Sequence, residues 1–104
     1  MTQLNYVRRL AGIYDSCVLN PSFASTCQQA ALMMEANNAL EHHPPRNWKC
    51  YKHEAAVEAG NSNLSLGYGF NRALMGQMTD NGASNGPCGH RRWILNPYNT
   101  VSGL

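Results

Sequence analysis

Charged residues are scarce in this sequence, and their scarcity excludes several classes of protein. Only 13% of the 104 residues are charged and the net charge is +2, so no basic surface is available to follow a phosphate backbone. No apolar run approaches the roughly 18 residues that a membrane span needs, and the N-terminus contains no hydrophobic signal core. We therefore predict a protein that binds no nucleic acid and does not span a membrane.

The sequence also lacks the short motifs of common catalytic and metal sites. It contains no Cys-x-x-Cys pair and no His-Glu-x-x-His helix. Its length suits a single domain over residues 1–104, which would bury roughly two thirds of the surface of the unfolded chain.

Four cysteines with long spacings indicate an oxidising compartment and disulfide bonds. They are Cys17, Cys27, Cys50 and Cys88. Three pairings are open: joining Cys17 to Cys27 would close a short loop, and joining Cys50 to Cys88 would tie two distant segments together. We predict the bridge between Cys50 and Cys88, with four buried reduced thiols as the alternative.

A first helix is predicted to begin at Thr2, whose hydroxyl can cap it. Its apolar residues recur at spacings of three and four and form one stripe: Leu4, Val7, Ala11 and Tyr14. The same periodicity places Arg8 and Arg9 on the outer face of the helix, in contact with water.

Further helices are predicted from their content of helix formers and from their boundaries: Ser22 to about Leu40, His53–Ala59, and Asn71 to about Thr79. Pro44-Pro45 would end the first of these, and Gly60 would end the second in the left-handed conformation. Met33 and Met34 are assigned to the core as flexible fillers of irregular space.

Residues 81–97 form a loop rich in Gly and Asn that leads into a short alternating segment. Alternation predicts a strand with two faces, one carrying Arg91, Trp93 and Leu95 and the other Arg92, Ile94 and Asn96. Pro97 would end this strand, and the residues after it would begin another. His90 at the mouth of the strand is placed to line a cavity, with a capping histidine as the alternative.

Several motifs resemble, in order, those of bacterial CAP-domain proteins of the SCP/PR-1-like superfamily. They are Leu40-Glu41-His42-His43-Pro44-Pro45, Trp48-Lys49-Cys50-Tyr51, Gly60-Asn61-Ser62-Asn63-Leu64, Asp80 before the last loop, and Gly89-His90-Arg91-Arg92-Trp93-Ile94-Leu95-Asn96-Pro97. The resemblance runs from about Leu4 to Leu104.

The resemblance implies an α+β fold, a three-layer α-β-α sandwich with a helix-rich N-terminal part followed by an antiparallel sheet. The family's sheet normally continues beyond this point, so the resemblance implies that C-terminal strands are absent here. An unpaired strand at Trp93 to Leu95 would then invite pairing with another copy or a partner chain. The resemblance also implies an extracellular protein whose signal peptide was removed before Met1.

The resemblance further implies a central cavity that binds a small or lipidic ligand. Its lining residues would be His42, Ser62, Asn63, Asp80 and His90. Ser62 stands where most family members carry a glutamate, so one anionic ligand is missing and His42, His90 and Asp80 would hold a divalent metal such as zinc only weakly.

We therefore predict a secreted binding module, with enzymatic activity less favoured than binding and no cofactor assigned beyond a weakly held metal. One alternative is a metal-assisted hydrolase in which His42, His90 and Asp80 bind zinc beside an attacking water. Another is a structural or assembly protein that uses the fold without an active site.

Overall fold

The computed structural model describes residues 1–82, 84 and 86–103. Its elements in chain order are α1 (Thr2–Leu10), β1 (Val18–Leu19), α2 (Pro21–Asn37), α3 (His53–Gly60), α4 (Phe70–Thr79), α5 (Gly89–Ile94) and β2 (Val101–Ser102). They form two compact units: unit 1 comprises Met1–Val18 and Gly67–Val101, and unit 2 comprises Leu19–Leu66 with Ser102 and Gly103. The helix-rich content with a small sheet gives a mixed α+β architecture.

Helix α1 begins at Thr2, but Met1 is its N-cap residue and no side chain caps it, so the capping role predicted for the Thr2 hydroxyl is wrong. Only the first half of the predicted apolar stripe is buried. Leu4 and Val7 lie in the core of unit 1, together with Cys17, Leu74 and Ile94. The helix ends at Leu10, and Gly12 then adopts a φ of +87°, so Ala11 and Tyr14 lie beyond the helix and are exposed. The predicted stripe is therefore correct for Leu4 and Val7 and wrong for Ala11 and Tyr14.

Arg8 is the main exception to the predicted helix faces, because it is only 1% exposed and does not face outward. Its guanidinium donates hydrogen bonds to the carbonyl oxygens of Ile94 at 2.7 Å, Asn96 at 2.9 Å and Asn99 at 2.9 Å. A helix leaves its last carbonyls without partners, and a cation is favoured at that negative end. Arg8 therefore closes the C-terminal end of α5 and the turn after it.

Unit 2 is built on the packing of α2 against α3. The side chain of Asn20 caps α2 by accepting the Phe23 N–H at 3.1 Å, and Pro21 occupies the first turn, where its missing N–H costs nothing. The core consists of Ala30, Met33, Met34, Ala55 and Ala59. The prediction that Met33 and Met34 are core residues is confirmed.

Two predicted helix ends are wrong. Helix α2 ends at Asn37 because Asn38 turns into the left-handed conformation with φ 48°, well before the proline pair. Asn tolerates this conformation better than most residues do, since its short polar side chain can hydrogen-bond locally. Gly60 is the last residue of α3 and is not left-handed, and Asn61 closes that helix with φ −102°.

The strand predicted after His90 is wrong, because Gly89–Ile94 is helix α5. In this helix Ile94 is buried in the core and Trp93 is 67% exposed. A strand would also have placed these two adjacent residues on opposite faces, so their pattern fits both structures. No open strand edge exists at Trp93 to Leu95, so the predicted pairing with another copy or a partner chain loses its basis. Over the described residues, no helix is both long and apolar enough to cross a membrane.

The sheet consists of β1 and β2, which are two residues each. The Val18 N–H donates to the Thr100 carbonyl at 2.9 Å and the Asn20 N–H to the Ser102 carbonyl at 2.8 Å. Both residue numbers rise together along the ladder, so the strands run parallel. The antiparallel sheet of a three-layer sandwich is not visible in the described residues, and that sandwich stays a prediction.

We expect Arg8→Gln to lower the free energy of unfolding by about 2–3 kcal/mol, because buried carbonyl acceptors lose a charged donor. Urea denaturation followed by circular dichroism measures this change. Arg9→Gln is the matched control, since Arg9 is the exposed neighbour, and we expect it to stay within about 0.5 kcal/mol of the native protein. Equal losses in the two variants would contradict the role assigned to Arg8.

Candidate functional site

The Asp80 carboxylate is the centre of the candidate site in unit 1. Helix α4 ends at Thr79, and Asp80 follows in the left-handed conformation with φ 51°. Its side chain is 2% exposed and lies with Oδ1 at 2.8 Å from the Nδ1 atom of His90. The structure thus brings together two of the predicted site residues, which are ten positions apart. We call them the Asp80–His90 pair.

Asp80 also caps the start of α5. Its Oδ2 atom accepts the backbone N–H of Arg91 at 3.2 Å, and the backbone N–H of His90 points to the same carboxylate. Cys88, the residue at the N-cap position, has φ 54° and offers no side-chain acceptor. A carboxylate from outside the helix therefore satisfies its first N–H groups and complements its positive end.

Arg91 of α5 in turn provides donors for the C-terminal end of α4. Its guanidinium donates to the carbonyl oxygen of Met78 and, at 2.6 Å, to that of Thr79. These carbonyls belong to the last turn of α4, which has no further helical partners for them. The end of α4 and the start of α5 thus supply each other with the hydrogen-bonding groups that both helices lack.

The hydrogen bond from His90 is the main cause that lowers the pKa of Asp80 below its ordinary value. Burial opposes this effect, and the N–H of Arg91 adds to it. An ionised carboxylate can only accept hydrogen bonds, so we assign the proton of the neutral imidazole to Nδ1 and the lone pair to Nε2. The His90 side chain is 31% exposed. The pair therefore orients a histidine near the surface of unit 1.

The remaining predicted site residues lie in unit 2, around the end of α3. The Nδ1 atom of His42 is 2.9 Å from the Ala59 carbonyl oxygen, which holds the ring against that helix. The Ser62 hydroxyl donates to Glu58 Oε1 at 3.3 Å. Asn63 is half-buried beside them in the sequence. The single cavity lined by all five predicted residues stays a prediction.

Glu58 is the residue that sequence reasoning missed. Besides Ser62, it accepts a hydrogen bond from the Thr26 hydroxyl at 3.1 Å, and the Cys27 thiol lies 3.7 Å from it. Its position four residues before Ser62 was the available signal, because it lies one helical turn away. A carboxylate from α3 therefore lies beside the Ser62 hydroxyl.

All four cysteines are free thiols in the structure. Cys50 lies in unit 2 and Cys88 in unit 1, so the bridge between them stays a prediction. Cys17 is buried in the core of unit 1, and this burial raises the pKa of its thiol. In unit 2, burial first and Glu58 second raise the pKa of Cys27. Cys17 is therefore a core residue, and the raised pKa of both thiols disfavours the reactive thiolate form.

The Asp80–His90 pair by itself supplies too few ligands for a zinc site. Zinc sites use three or four protein ligands, whereas both Asp80 oxygens already accept hydrogen bonds. Over the described residues, neither unit contains three or more His, Cys, Asp or Glu side chains placed to hold a metal ion. We assign Asp80 to the orientation of His90, and metal binding by His42, His90 and Asp80 stays a prediction from the resemblance.

A groove of about 610 Å³ runs along α5 and the turn after it. It is lined by Gly89, Arg91, Arg92, Trp93, Leu95, Asn96 and Pro97. The lining combines apolar side chains with two cations, and it does not include His90. The groove and the Asp80–His90 pair therefore use different sides of the same short helix.

Comparison with protein-family models gives a match to CAP, the cysteine-rich secretory protein family, over residues 1–104. Because this match spans the entire chain, the protein belongs to the CAP family. The resemblance inferred from the motifs is thus confirmed at the level of the family. Comparisons with curated proteins and with solved structures gave no match.

We expect Asp80→Asn to lower stability at neutral pH, because Asn tolerates the left-handed backbone but removes the charge that His90 and α5 require. A carboxyl whose pKa is lowered by folding stabilises the protein above its ordinary pKa of about 3.9, and this contribution is lost as the pH falls through the lowered value. The difference between the native protein and Asp80→Asn should therefore shrink below about pH 4 in urea denaturation.

The exposed Asp15 in the same unit offers the matched control, since Asp15→Asn removes a carboxylate without a structural role. We expect the free energy of unfolding of Asp15→Asn to equal that of the native protein at both pH 7 and pH 3. An Asp80→Asn difference that is unchanged between pH 7 and pH 3 would contradict the charge-based role of Asp80.

We expect Ser62→Glu to destabilise the protein by about 1 kcal/mol at pH 7, because it replaces a donor to Glu58 with a second carboxylate. In a Glu58→Gln background the same substitution should cost little, since the repulsion is gone. A double-mutant cycle from urea denaturation measures the coupling. Independent effects of the two substitutions would show that Glu58 and Ser62 do not interact.

Proposed function

We propose that this chain is a secreted binding module that takes a small anionic amphiphile in the groove along α5. The observation that carries this proposal is the groove of about 610 Å³, which places exposed Trp93 beside exposed Arg92. Its volume falls within the range of about 300–1,000 Å³ that is typical of small-molecule sites. Binding, and not turnover, is the activity that these residues support.

The apolar part of the ligand would contact Trp93, Leu95 and Pro97. Trp93 is a large aromatic side chain that remains 67% exposed, so a ligand can remove much of its surface from water. Each buried methylene contributes about 0.8 kcal/mol, which makes an alkyl chain a suitable occupant. An alkyl chain of moderate length would supply enough of this contribution to offset the cost of association.

The acidic head group would be held by Arg92. Over the described residues the Arg92 guanidinium makes no hydrogen bond or ion pair, whereas Arg91 is committed to the end of α4. A guanidinium matches the geometry of a carboxylate through two parallel hydrogen bonds. Arg92 is therefore the residue with donors available for the ligand.

The Asp80–His90 pair serves this function as a support. It holds the first turn of α5, while Arg8 holds the last turn and the segment after it. A groove formed by one six-residue helix needs such supports, because a helix this short is not stable by itself. Pre-organised walls also reduce the ordering cost of binding.

Secretion is part of the proposal and is supported by membership of a family described as cysteine-rich secretory proteins. The metal-assisted hydrolase finds no support in a specific observation, because Asp80 is occupied as a hydrogen-bond acceptor. A structural protein without a site is the outcome that a failed ligand titration would favour.

Oleate is a suitable probe, and its binding can be followed through tryptophan emission. The chain has two tryptophans, so Trp48→Phe leaves Trp93 as the sole emitter. We expect oleate below its micellar concentration to shift this emission to shorter wavelength, because Trp93 leaves water. Arg92→Gln should weaken oleate binding about tenfold and leave binding of uncharged oleyl alcohol unchanged.

Arg9→Gln controls for the loss of one surface cation, because Arg9 lies on α1, outside the groove lining. It should bind oleate like the native protein. Absence of any emission shift with oleate, or equal weakening in Arg9→Gln and Arg92→Gln, would refute the proposed ligand class.

A further inference from the structure

A second cavity lies entirely within unit 2 and has no part in the proposed function. Its volume is about 270 Å³, and four of its lining residues carry hydrogen-bond donors: His43, Arg46, Tyr51 and His53. Pro44, Ala56 and Val57 complete the wall. None of the lining residues is acidic.

The donors around this cavity are not used elsewhere. Over residues 1–82, 84 and 86–103, the Arg46 guanidinium, the Tyr51 hydroxyl and the two imidazoles make no hydrogen bond or ion pair. A guanidinium has five N–H donors and no acceptor, a phenol has one O–H, and each neutral imidazole has one N–H. His43, Arg46 and His53 are exposed, so these donors are available to a ligand rich in acceptors.

The segment that carries these side chains is held in place before any ligand arrives. Pro44 is buried and fixes its own φ, and the Pro45 carbonyl accepts the Trp48 N–H at 3.1 Å. Tyr51 is fixed by its N–H bond to the Trp48 carbonyl at 3.3 Å. Little backbone entropy remains to be lost on binding, which favours affinity.

We propose that this cavity is a binding site for a tetrahedral oxyanion, such as the phosphate or sulfate group of a monoester. Such a group presents at least three acceptor oxygens and a negative charge to Arg46, Tyr51 and His53. The cavity lies just below the size range of sites for drug-sized ligands, so it suits a small head group rather than a whole cofactor.

The charges near the cavity agree with an anionic occupant. Helix α3 starts beside it at His53, and Lys52 provides no side-chain cap for the first N–H groups of that helix. Two acids are close in the sequence: Glu54 is in the first turn of α3, and Glu41 accepts the backbone N–H of His43 at 3.2 Å. Neither lines the cavity. The oxyanion would therefore meet the positive end of a helix together with a guanidinium.

Amide NMR titration with inorganic phosphate, and separately with inorganic sulfate, at constant ionic strength tests the site. We expect shifts confined to residues around Arg46, Tyr51 and His53, with a dissociation constant on the order of 1 mM. Arg46→Gln should weaken binding at least about tenfold, and Tyr51→Phe should weaken it by a few-fold. Arg46 is exposed and has no partner to lose, so the variant should fold normally.

Lys49→Gln is the matched control, because it removes the same charge from the same loop outside the cavity. It should leave binding within about twofold of the native protein. Equal weakening in Lys49→Gln and Arg46→Gln, or no localised shifts up to about 50 mM phosphate, would overturn the proposal.

Co-sedimentation with vesicles identifies the source of the oxyanion. Vesicles of phosphatidylcholine with and without phosphatidic acid are compared, each with the native protein and Arg46→Gln. Binding that requires phosphatidic acid and Arg46 would identify a lipid phosphate, whereas binding of inorganic phosphate alone would identify a free anion. Both results support the site, because both depend on Arg46.

Discussion

The carboxylate of Asp80 is the interaction on which the candidate site in unit 1 depends. It accepts hydrogen bonds from the His90 ring and from the first N–H groups of α5, so one buried charge supports both a side chain and a helix. The carboxylate and the helix stabilise each other: the positive end of α5 favours the ionised form of Asp80, and the ionised carboxylate caps that end of the helix. Loss of the charge would release helix and histidine together.

Arg8 has the corresponding role at the other end of α5. It is a buried cation without an anionic partner among the described residues: three carbonyl oxygens accept hydrogen bonds from its two terminal nitrogens, whereas its Nε has no partner there. Asp80 and Arg8 thus hold a six-residue helix between a negative and a positive group. The exposed surface of α5, including Trp93 and Arg92, is presented by a helix whose two ends are both fixed.

Four of the five helices were predicted, the first from its apolar periodicity and the other three from helix-forming residues and boundary signals. Helix α5 was predicted as a strand, since six residues with Trp93 and Ile94 side by side fit either period. Its helical state depends on Asp80, which lies outside the segment. Arg8 was misplaced for the same reason: its partners are backbone carbonyls 86 to 91 residues away, which no side-chain pattern reveals. The site histidines were identified by motif, whereas Glu58 was missed although it lies four residues before Ser62.

The most direct test of this account is the tautomer of His90, measured by long-range ¹H–¹⁵N NMR of the imidazole near neutral pH. If Asp80 accepts the proton of Nδ1, His90 should show the tautomer protonated at Nδ1, and Asp80→Asn should populate the other tautomer as well. A His90 ring that is protonated at Nε2 in the native protein would contradict the central role of the Asp80 carboxylate.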